Sequence, residues 1–426
     1  MSDSRSARRT LLWPVAMWVL FGLIIAVLPY IFTSSSSISM MSQMGVFIIF
    51  ALSYNMLLGE AGMLSFGHAV YFGLGGFFTL HAIRGVNDGV WSFPLELMPL
   101  IGGLGGLMFG IVFGSISTRR AGVTFAMITL GIGSMVESSA NMFTDFFGGE
   151  SGISGNRVLD VTLLPFSYGP SIQVYYLIGA WTVVAALLMY LLTRTPLGRI
   201  SNAVRDNPER AQFVGYNTTI ARFIQFSLSG FFAGIAGGLF AIMFEIMTAP
   251  NVGLVQSGMV LLMTFIGGVG AFFGPILGAV LVTYMHTALS GFSEGWILYF
   301  GLLFVFMVMY APGGIAGIIT AHFAPWRAGV MHRLLPIYAL ALVPALLAVA
   351  GLVAVVEMGY QLSLAYDPSR PIDLFYMEVT ATHVGAWAVA VLVFAAGLAG
   401  VIGARRLVRS RWAEVNRTMS ATGDSP

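Results

Sequence analysis

The chain contains no cysteine and no lysine; all 20 of its basic residues are arginine. Without thiols there is no disulfide, no thiolate catalysis and no cysteine metal site. Without a side-chain amine there is no Schiff base and no lysine on the phosphates of a P-loop. Charge of either sign is scarce as well. Charged residues make up 9% of the 426, against 57% hydrophobic, whereas a soluble domain carries about 25% charged. That balance excludes a soluble globular protein and points to a polytopic membrane protein. Arginine-only usage identifies no partner by itself, and no nucleic-acid partner is expected.

What the chain does have is long apolar runs. They lie at 11–32, 40–58, 61–83, 97–116, 121–143, 172–193, 223–249, 254–270, 271–289, 296–311, 335–356 and 384–404. Lengths near 20 residues fit membrane helices, so the expected fold is all-α, a transmembrane helical bundle of about 10 core spans plus 2 C-terminal spans. Residues 1–39 would hold a cytoplasmic N-terminus and the first helix, 40–320 the core, and 321–426 a C-terminal extension with a cytoplasmic tail. The first run is too long for a signal-peptide core and reads as a retained helix. If each run crosses once from a cytoplasmic N-terminus, 17 arginines fall inside and only Arg84, Arg157 and Arg370 outside. A wrong parity would scatter that bias, so both termini and the central insert are expected in the cytoplasm. The runs 254–270 and 296–311 are short for a core of about 30 Å and suit broken or re-entrant segments.

The longest polar insert, 195–222, separates two long apolar runs and carries Arg199, Arg205, Arg210 and Arg222. Asn207 suits a helix N-cap, Pro208 the first helical position and Gly215 the C-terminal stop, predicting a short exposed helix over 208–214. Such a helix reads as a docking element, although a solvated loop with a positive-inside signature has the same composition. Two outer connections are long. The first, 144–171, is Gly-rich and acidic and reads as a docking surface, a plug or a structured connector. The second, 357–383, carries Asp367, Asp373 and Glu378 among Tyr360, Tyr366, Phe375 and Tyr376, and reads as a connector.

Ionisable groups inside spans are costly and become candidates for function. Glu137, with Asn141 one turn on, is either a polar pathway residue or an interhelical hydrogen bond. Ser65 and His68 sit in a glycine-rich run suited to a broken or tightly packed helix whose exposed backbone ends line a cavity. Glu245, near the end of its span, fits snorkelling to the interface better than a substrate role. Three glycine ladders, Gly102–Gly106–Gly110, Gly230–Gly234–Gly238 and Gly270–Gly274–Gly278, would let helices approach closely, whether to slide or simply to pack. A GxSxG string at Gly291, Ser293 and Gly295 lacks the strand–turn–helix context of a nucleophile elbow. No histidine pair has a metal-ligand spacing, and no metal is expected.

Several stretches together resemble the LivM-type permeases of branched-chain amino-acid ABC importers, a family that also includes urea and short-chain amide permeases. They are ALSYNMLLGEAGMLSFGHAVYFGLGG from Ala51, RRAGVTFAMITLGIG from Arg119, FFGGESGISG from Phe146, TPLGRISNAVRDNPERAQFVGYN from Thr195, then FIGGVGAFFGPILGA and YAPGGIAGII. They cover about 40–320, and beyond 321 the resemblance stops. It implies a multi-pass subunit of a bacterial inner membrane. Its partners would be a second homologous permease, two cytoplasmic ATP-binding subunits, a periplasmic substrate-binding protein and membrane lipid. It also implies that ATP and magnesium are bound by the partner subunits and that this chain holds no cofactor and is not itself an enzyme. Glu209, Ala211 and Gly215 sit at the spacing of the E-A-A-x-x-x-G coupling loop of importer permeases, with Arg210 in place of the middle alanine. The segment with Arg205, Asn207, Pro208, Glu209, Arg210, Ala211 and Gly215 would then couple to the ATPases. The cargo reads as a branched-chain or related amino acid, with urea, short-chain amides or aromatic acids as alternatives. An ion-gradient carrier using Glu137 and His68 as a proton relay is the rival of another class.

Overall fold

The computed structural model describes residues 3–291, 293, 295–364, 371–374 and 377–422, with side chains at 3–15, 364, 373 and 418–422 outside the description. Tyr366, Asp367, Arg370, Phe375 and Tyr376, and the side chains of Arg5, Arg8, Arg9 and Asp373, therefore lie outside the described residues. Each of the twelve apolar runs is helical. In order they are α1 (Asp3–Ile31), α2 (Ser35–Asn55), α3 (Ala69–Asn87), α4 (Met98–Ser117) and α5 (Val123–Met142), then, after the short α6 (Thr144–Phe147), α7 (Ser171–Arg194). The central insert forms α8 (Pro196–Asp206) and α9 (Pro208–Phe213). It is followed by α10 (Thr218–Phe244), α11 (Leu254–Gly267), α12 (Gly274–Ser290), α13 (Trp296–Tyr310) and α14 (Gly314–Arg327). The last two helices are α15 (Leu335–Leu364) and α16 (Val384–Thr422).

Among the described residues seven helices are long and apolar enough to cross a membrane, and α13 with α14, bent by 44°, makes an eighth. α14 replaces an expected loop, and Ala311-Pro312-Gly313-Gly314 explains the break: proline removes a donor, and Gly314 adopts φ +62°. α11 and α12 are shorter apolar helices. The chain divides into two compact units, Met1–Thr287 with Met307–Ala316, and Ala288–Phe306 with Gly317–Pro426.

In the first unit α2 is buried on every side from Val46 to Asn55, as a helix apolar all round should be. α3, α4 and α10 pack together through glycine. A Cβ on Gly106 would collide with the Gly230 carbonyl, one on Gly234 with the Gly102 carbonyl, and one on Gly238 would lie 2.7 Å from Thr79 Oγ1. Gly110 faces Ser227 of α10 at 3.2 Å. The first two ladders thus face each other, and α3 enters the same seam at Gly75, 2.8 Å from the Gly102 carbonyl. The third ladder is shorter than expected. Gly270 is exposed in the turn before α12, because the helix begins only at Gly274. Gly274 and Gly278 do press on α11, at the carbonyls of Gly268 and Met263.

Two minimal antiparallel sheets, among the described residues, complete the fold. β1 (Ile153–Ser154) pairs with β2 (Ile246–Met247), and β3 (Ile372–Leu374) with β4 (Met377–Val379). In the second unit α15 and α16 interlock at Gly351 against Phe394 and Gly397 against Ala348. Met358, Leu374, Ala381 and Ala390 form a core under the β3–β4 hairpin, and Trp387 Nε1 donates to the Ala381 carbonyl at 2.8 Å.

Gly237→Ala should be among the most damaging single-methyl additions, because its Cβ would run into the Phe72 carbonyl, a backbone atom. The expected cost is about 1–3 kcal/mol, read as a lower unfolding midpoint in detergent. Gly131→Ala, which meets open space, should be near neutral apart from its small propensity gain.

Candidate functional site

The central insert is two capped helices in series. Thr195 caps α8, its Oγ1 accepting from the Gly198 amide at 3.4 Å. Asn207 caps α9, its Oδ1 accepting from the Arg210 amide at 2.9 Å, with Pro208 in the first turn. Gly215 closes the segment with φ +96°, while the Tyr216 amide donates back to Ala211 at 3.1 Å. Sequence pattern anticipated α9 but not α8, whose apolar side is little more than Ile200 and Val204. Ala211 turns inward against Val204, Ala221 and Ile200. Everything else on α9 faces out: Pro208, Glu209 and Arg210 are exposed, and at the tip Phe213 is 91% and Val214 71% exposed. Beside the two helices a cleft of about 480 Å³ is lined by Arg194, Pro196, Arg199, Ile200, Ala203 and Tyr216.

Arg205 and Asn202 point the other way, into the bundle. After α2 the chain makes a π-turn, Met56–Glu60, and then runs without helix through 62–68. The Arg205 guanidinium donates to the Gly59 carbonyl, Asn202 Nδ2 to Glu60 Oε2 at 2.6 Å, and Gln225 Nε2 of α10 to the Met56 carbonyl at 3.1 Å. The carbonyls that a helix end leaves without intrahelical partners are thus taken by side chains. Glycine is required twice: a Cβ on Gly59 would collide with Asn55, and one on Gly62, at φ +66°, would lie 2.9 Å from Arg205 Cγ.

The stretch 61–68 is a broken helix as expected, but its polar side chains do not line an open path in this conformation. Ser65 and His68 are both fully buried. Ser53 Oγ donates to the Phe50 carbonyl at 2.7 Å, so the 3.0 Å contact with His68 is a donation from Nε2 to Ser53 Oγ. Phe50 stacks on the imidazole at 5.5 Å, and Tyr54 and Tyr71 enclose it. Tyr54 OH donates to the Ser65 carbonyl at 2.9 Å. The backbone is held by other helices: the Phe66 amide donates to Thr129 Oγ1 of α5 and the Ala69 amide to Ser257 Oγ of α11.

Glu137 of α5 is half-buried and sits at the start of α11, where the Leu254 amide donates to Oε2 at 3.3 Å. A carboxylate at a helix N-terminus meets unsatisfied amides and the positive end of the dipole, and this contact is an interhelical hydrogen bond. Asn141, one turn on, is exposed. It belongs to an exposed face of α5 that also presents Thr124, Met127, Gly131, Ser134 and Ser138.

The connection 144–171 is held by a network of charged side chains. Glu245, in the left-handed region at φ +57°, does not snorkel freely. Its Oε1 accepts from the Arg157 amide at 2.9 Å and its Oε2 pairs with Arg157 Nη1 at 3.6 Å. Arg157 also donates to the carbonyls of Tyr168, Met243 and Gly169. Glu96 accepts from the amides of Leu163 and Leu164 and from Tyr168 OH, all at 3.0 Å. Burial, reinforced by that carboxylate, pushes the Tyr168 phenol well above its ordinary value. An apolar cavity of about 590 Å³ lies against this connector and α7.

Residues 36–312 match the family described as the permease component of the branched-chain amino acid transport system. The chain belongs to that permease family. Among curated relatives, the high-affinity branched-chain amino acid transport system permease protein LivM of Salmonella typhimurium is 29% identical over 314 residues, 69% of this chain and 73% of that one. The probable LivM of Methanocaldococcus jannaschii is 26% identical over 325 residues, covering 64% of this chain and 90% of that one. The autoinducer 2 import system permease LsrC of Salmonella typhi is 37% identical over 124 residues, 26% of this chain and 34% of that one. No solved structure matches. The permease match contains α8, α9, the π-turn and Glu137, and it ends before α14, α15 and α16.

Glu137→Ala should cost about 1 kcal/mol by leaving the start of α11 uncapped, with Glu137→Gln, which keeps an acceptor, in between. Thermal unfolding of the purified permease in detergent measures both.

Proposed function

We propose that this permease is one half of the membrane pathway of an ATP-driven importer for branched-chain or related amino acids. A periplasmic binding protein delivers the cargo, a second homologous permease completes the pathway, and two cytoplasmic ATP-binding subunits drive it from α9. The single observation carrying this reading is α9 itself. It is a capped helix anchored by Ala211 whose large apolar tip residues, Phe213 and Val214, stand exposed beside Arg210. An apolar tip with a charged flank is what a partner's pocket buries. The complete lack of lysine fits a chain whose nucleotide chemistry is done by others.

The cargo class follows the printed names of the LivM relatives. His68 and Glu137 each make a contact that ties elements of the first unit together, His68 with Ser53 and Glu137 with Leu254. Thr124, Ser134, Ser138 and Asn141 instead share one exposed face of α5. Polar groups at membrane depth belong against water or protein rather than lipid, which favours a pathway formed between this chain and its partner permease. Transport then proceeds by alternating access: closure of the ATPases moves α9, and the helices packed behind it shift between two arrangements.

Ala211→Pro removes the Ala211 amide's 3.1 Å donation to Asn207 and breaks α9. ATP-coupled uptake should be abolished while the protein remains in the membrane; wild-type uptake in that variant would sink the docking role. Affinity purification in mild detergent should bring down a second permease and Walker-A subunits. Isolation of the chain alone, with transport that survives ATP depletion and collapses with an uncoupler, would replace the importer by a gradient-driven carrier.

A further inference from the structure

We propose that Glu60 and Asn202, with Arg205, are the mechanical link that converts movement of the docking helix into movement of the broken stretch 61–68. The proposal rests on the reading of α9 as the ATPase docking element. Three features of the structure support it.

α9 is joined to α8 by Asn207 alone, and the two share the core of Ala211, Val204 and Ile200, so a push on α9 reaches α8 directly. α8 in turn grips the π-turn with two charge-assisted hydrogen bonds at adjacent residues, Arg205 to the Gly59 carbonyl and Asn202 to the Glu60 carboxylate. Hydrogen bonds with an ionised partner are about twice as strong as neutral ones, and the Arg205 guanidinium is always charged; the Asn202–Glu60 bond is short, at 2.6 Å. The side-chain stem of Arg205 also packs at 2.9–3.5 Å of where a Cβ would stand on Gly62. The grip is therefore steric as well as polar.

The element gripped is able to move. A π-turn is a helix defect with a looser ladder, and residues 62–68 after it have no helical ladder of their own. Their backbone is bonded instead to two further helices, Phe66 to Thr129 of α5 and Ala69 to Ser257 of α11. α5 and α11 are joined to each other at Glu137 and Leu254. A displacement entering at Glu60 thus leaves through α5, the helix whose exposed face carries Ser134, Ser138 and Asn141. A hydrogen-bond pair that served only stability would have no reason to connect these elements in series.

The test uses the complete transporter, reconstituted with its partner subunits, with amino-acid uptake and ATP hydrolysis measured in the same proteoliposomes. Asn202→Asp sets two carboxylates against each other and should lower uptake about tenfold, equivalent to roughly 1.4 kcal/mol, while ATP hydrolysis stays within about twofold. The ATP consumed per molecule transported therefore rises. The reciprocal pair Glu60→Gln with Asn202→Asp restores an amide-to-carboxylate hydrogen bond and should recover most of the uptake. Should Asn202→Asp fail to assemble, Asn202→Ala removes the donor without adding charge and carries the same expectation. Uptake and coupling at wild-type levels in the single variants, or a reciprocal pair no better than Asn202→Asp, would overturn the link. A parallel fall of uptake and hydrolysis, with the reciprocal pair equally impaired, would assign these residues to stability alone. Failure of the importer reading itself looks different: uptake by the unmodified protein would not require ATP.

Discussion

Just after the fully buried end of α2 the backbone abandons the helical ladder, and its amides and carbonyls must still be bonded. An unbonded backbone group away from water costs as much as a lost hydrogen bond, so such groups are nearly always paired. From Met56 to Ala69 side chains of five helices reach this backbone: Tyr54 from α2, Gln225 from α10, Arg205 from α8, Thr129 from α5 and Ser257 from α11. The break is therefore the junction where these helices meet, and their relative positions are set by which atoms of the break they must reach. Irregular backbone at membrane depth is tolerated only where protein or a water-filled cavity surrounds it; here protein does so.

The glycine seam is the counterpart of this junction. Where α3, α4 and α10 touch, some glycines meet backbone carbonyls and others receive side chains of the facing helix, Phe231 and Ile235 at Gly103, Phe226 at Gly114 and Phe78 at Gly105. Close backbone approach gains dispersion over the whole length of contact. Between those seated side chains the helices meet backbone to backbone, at Gly102, Gly106 and Gly234. The break holds its neighbours by directional bonds at a few points, whereas the seam holds by area. A pairing of point attachments with close contact suits a body that must shift between discrete arrangements without losing its core.

Much of this was legible in the sequence. Apolar run length located all twelve expected helices, and the cap residues Asn207 and Pro208 located α9, because both signals are local. The glycine and small-residue content of 61–68 announced a broken helix for the same reason. What was not legible depended on distant partners. Glu60 and Asn202 look like ordinary polar residues at the ends of their segments, and only the fold places them 2.6 Å apart. Glu137 and His68 drew notice as costly groups, and cost alone does not distinguish a pathway residue from one whose partner lies far along the chain. Gly270 fitted a spacing of four residues, but a ladder has meaning only if the helix continues through it. Here the helix starts at Gly274.

The position of α9 within this scheme limits what it can do. Its own core is small, Ala211 against Val204, Ala221 and Ile200, and it cannot by itself hold the bundle in either of two arrangements. It can only bias a balance that the break and the seam already permit. A ligand or partner shifts such a balance by no more than the difference in its affinity for the two states, so the strength of coupling is set by how much of a movement at α9 survives to the break. Compliance along the way would dissipate it. α8 is short, is buried at Gly198, Ser201 and Val204, and is fastened at both Gly59 and Glu60, which leaves little room for the movement to be absorbed before it reaches the membrane helices.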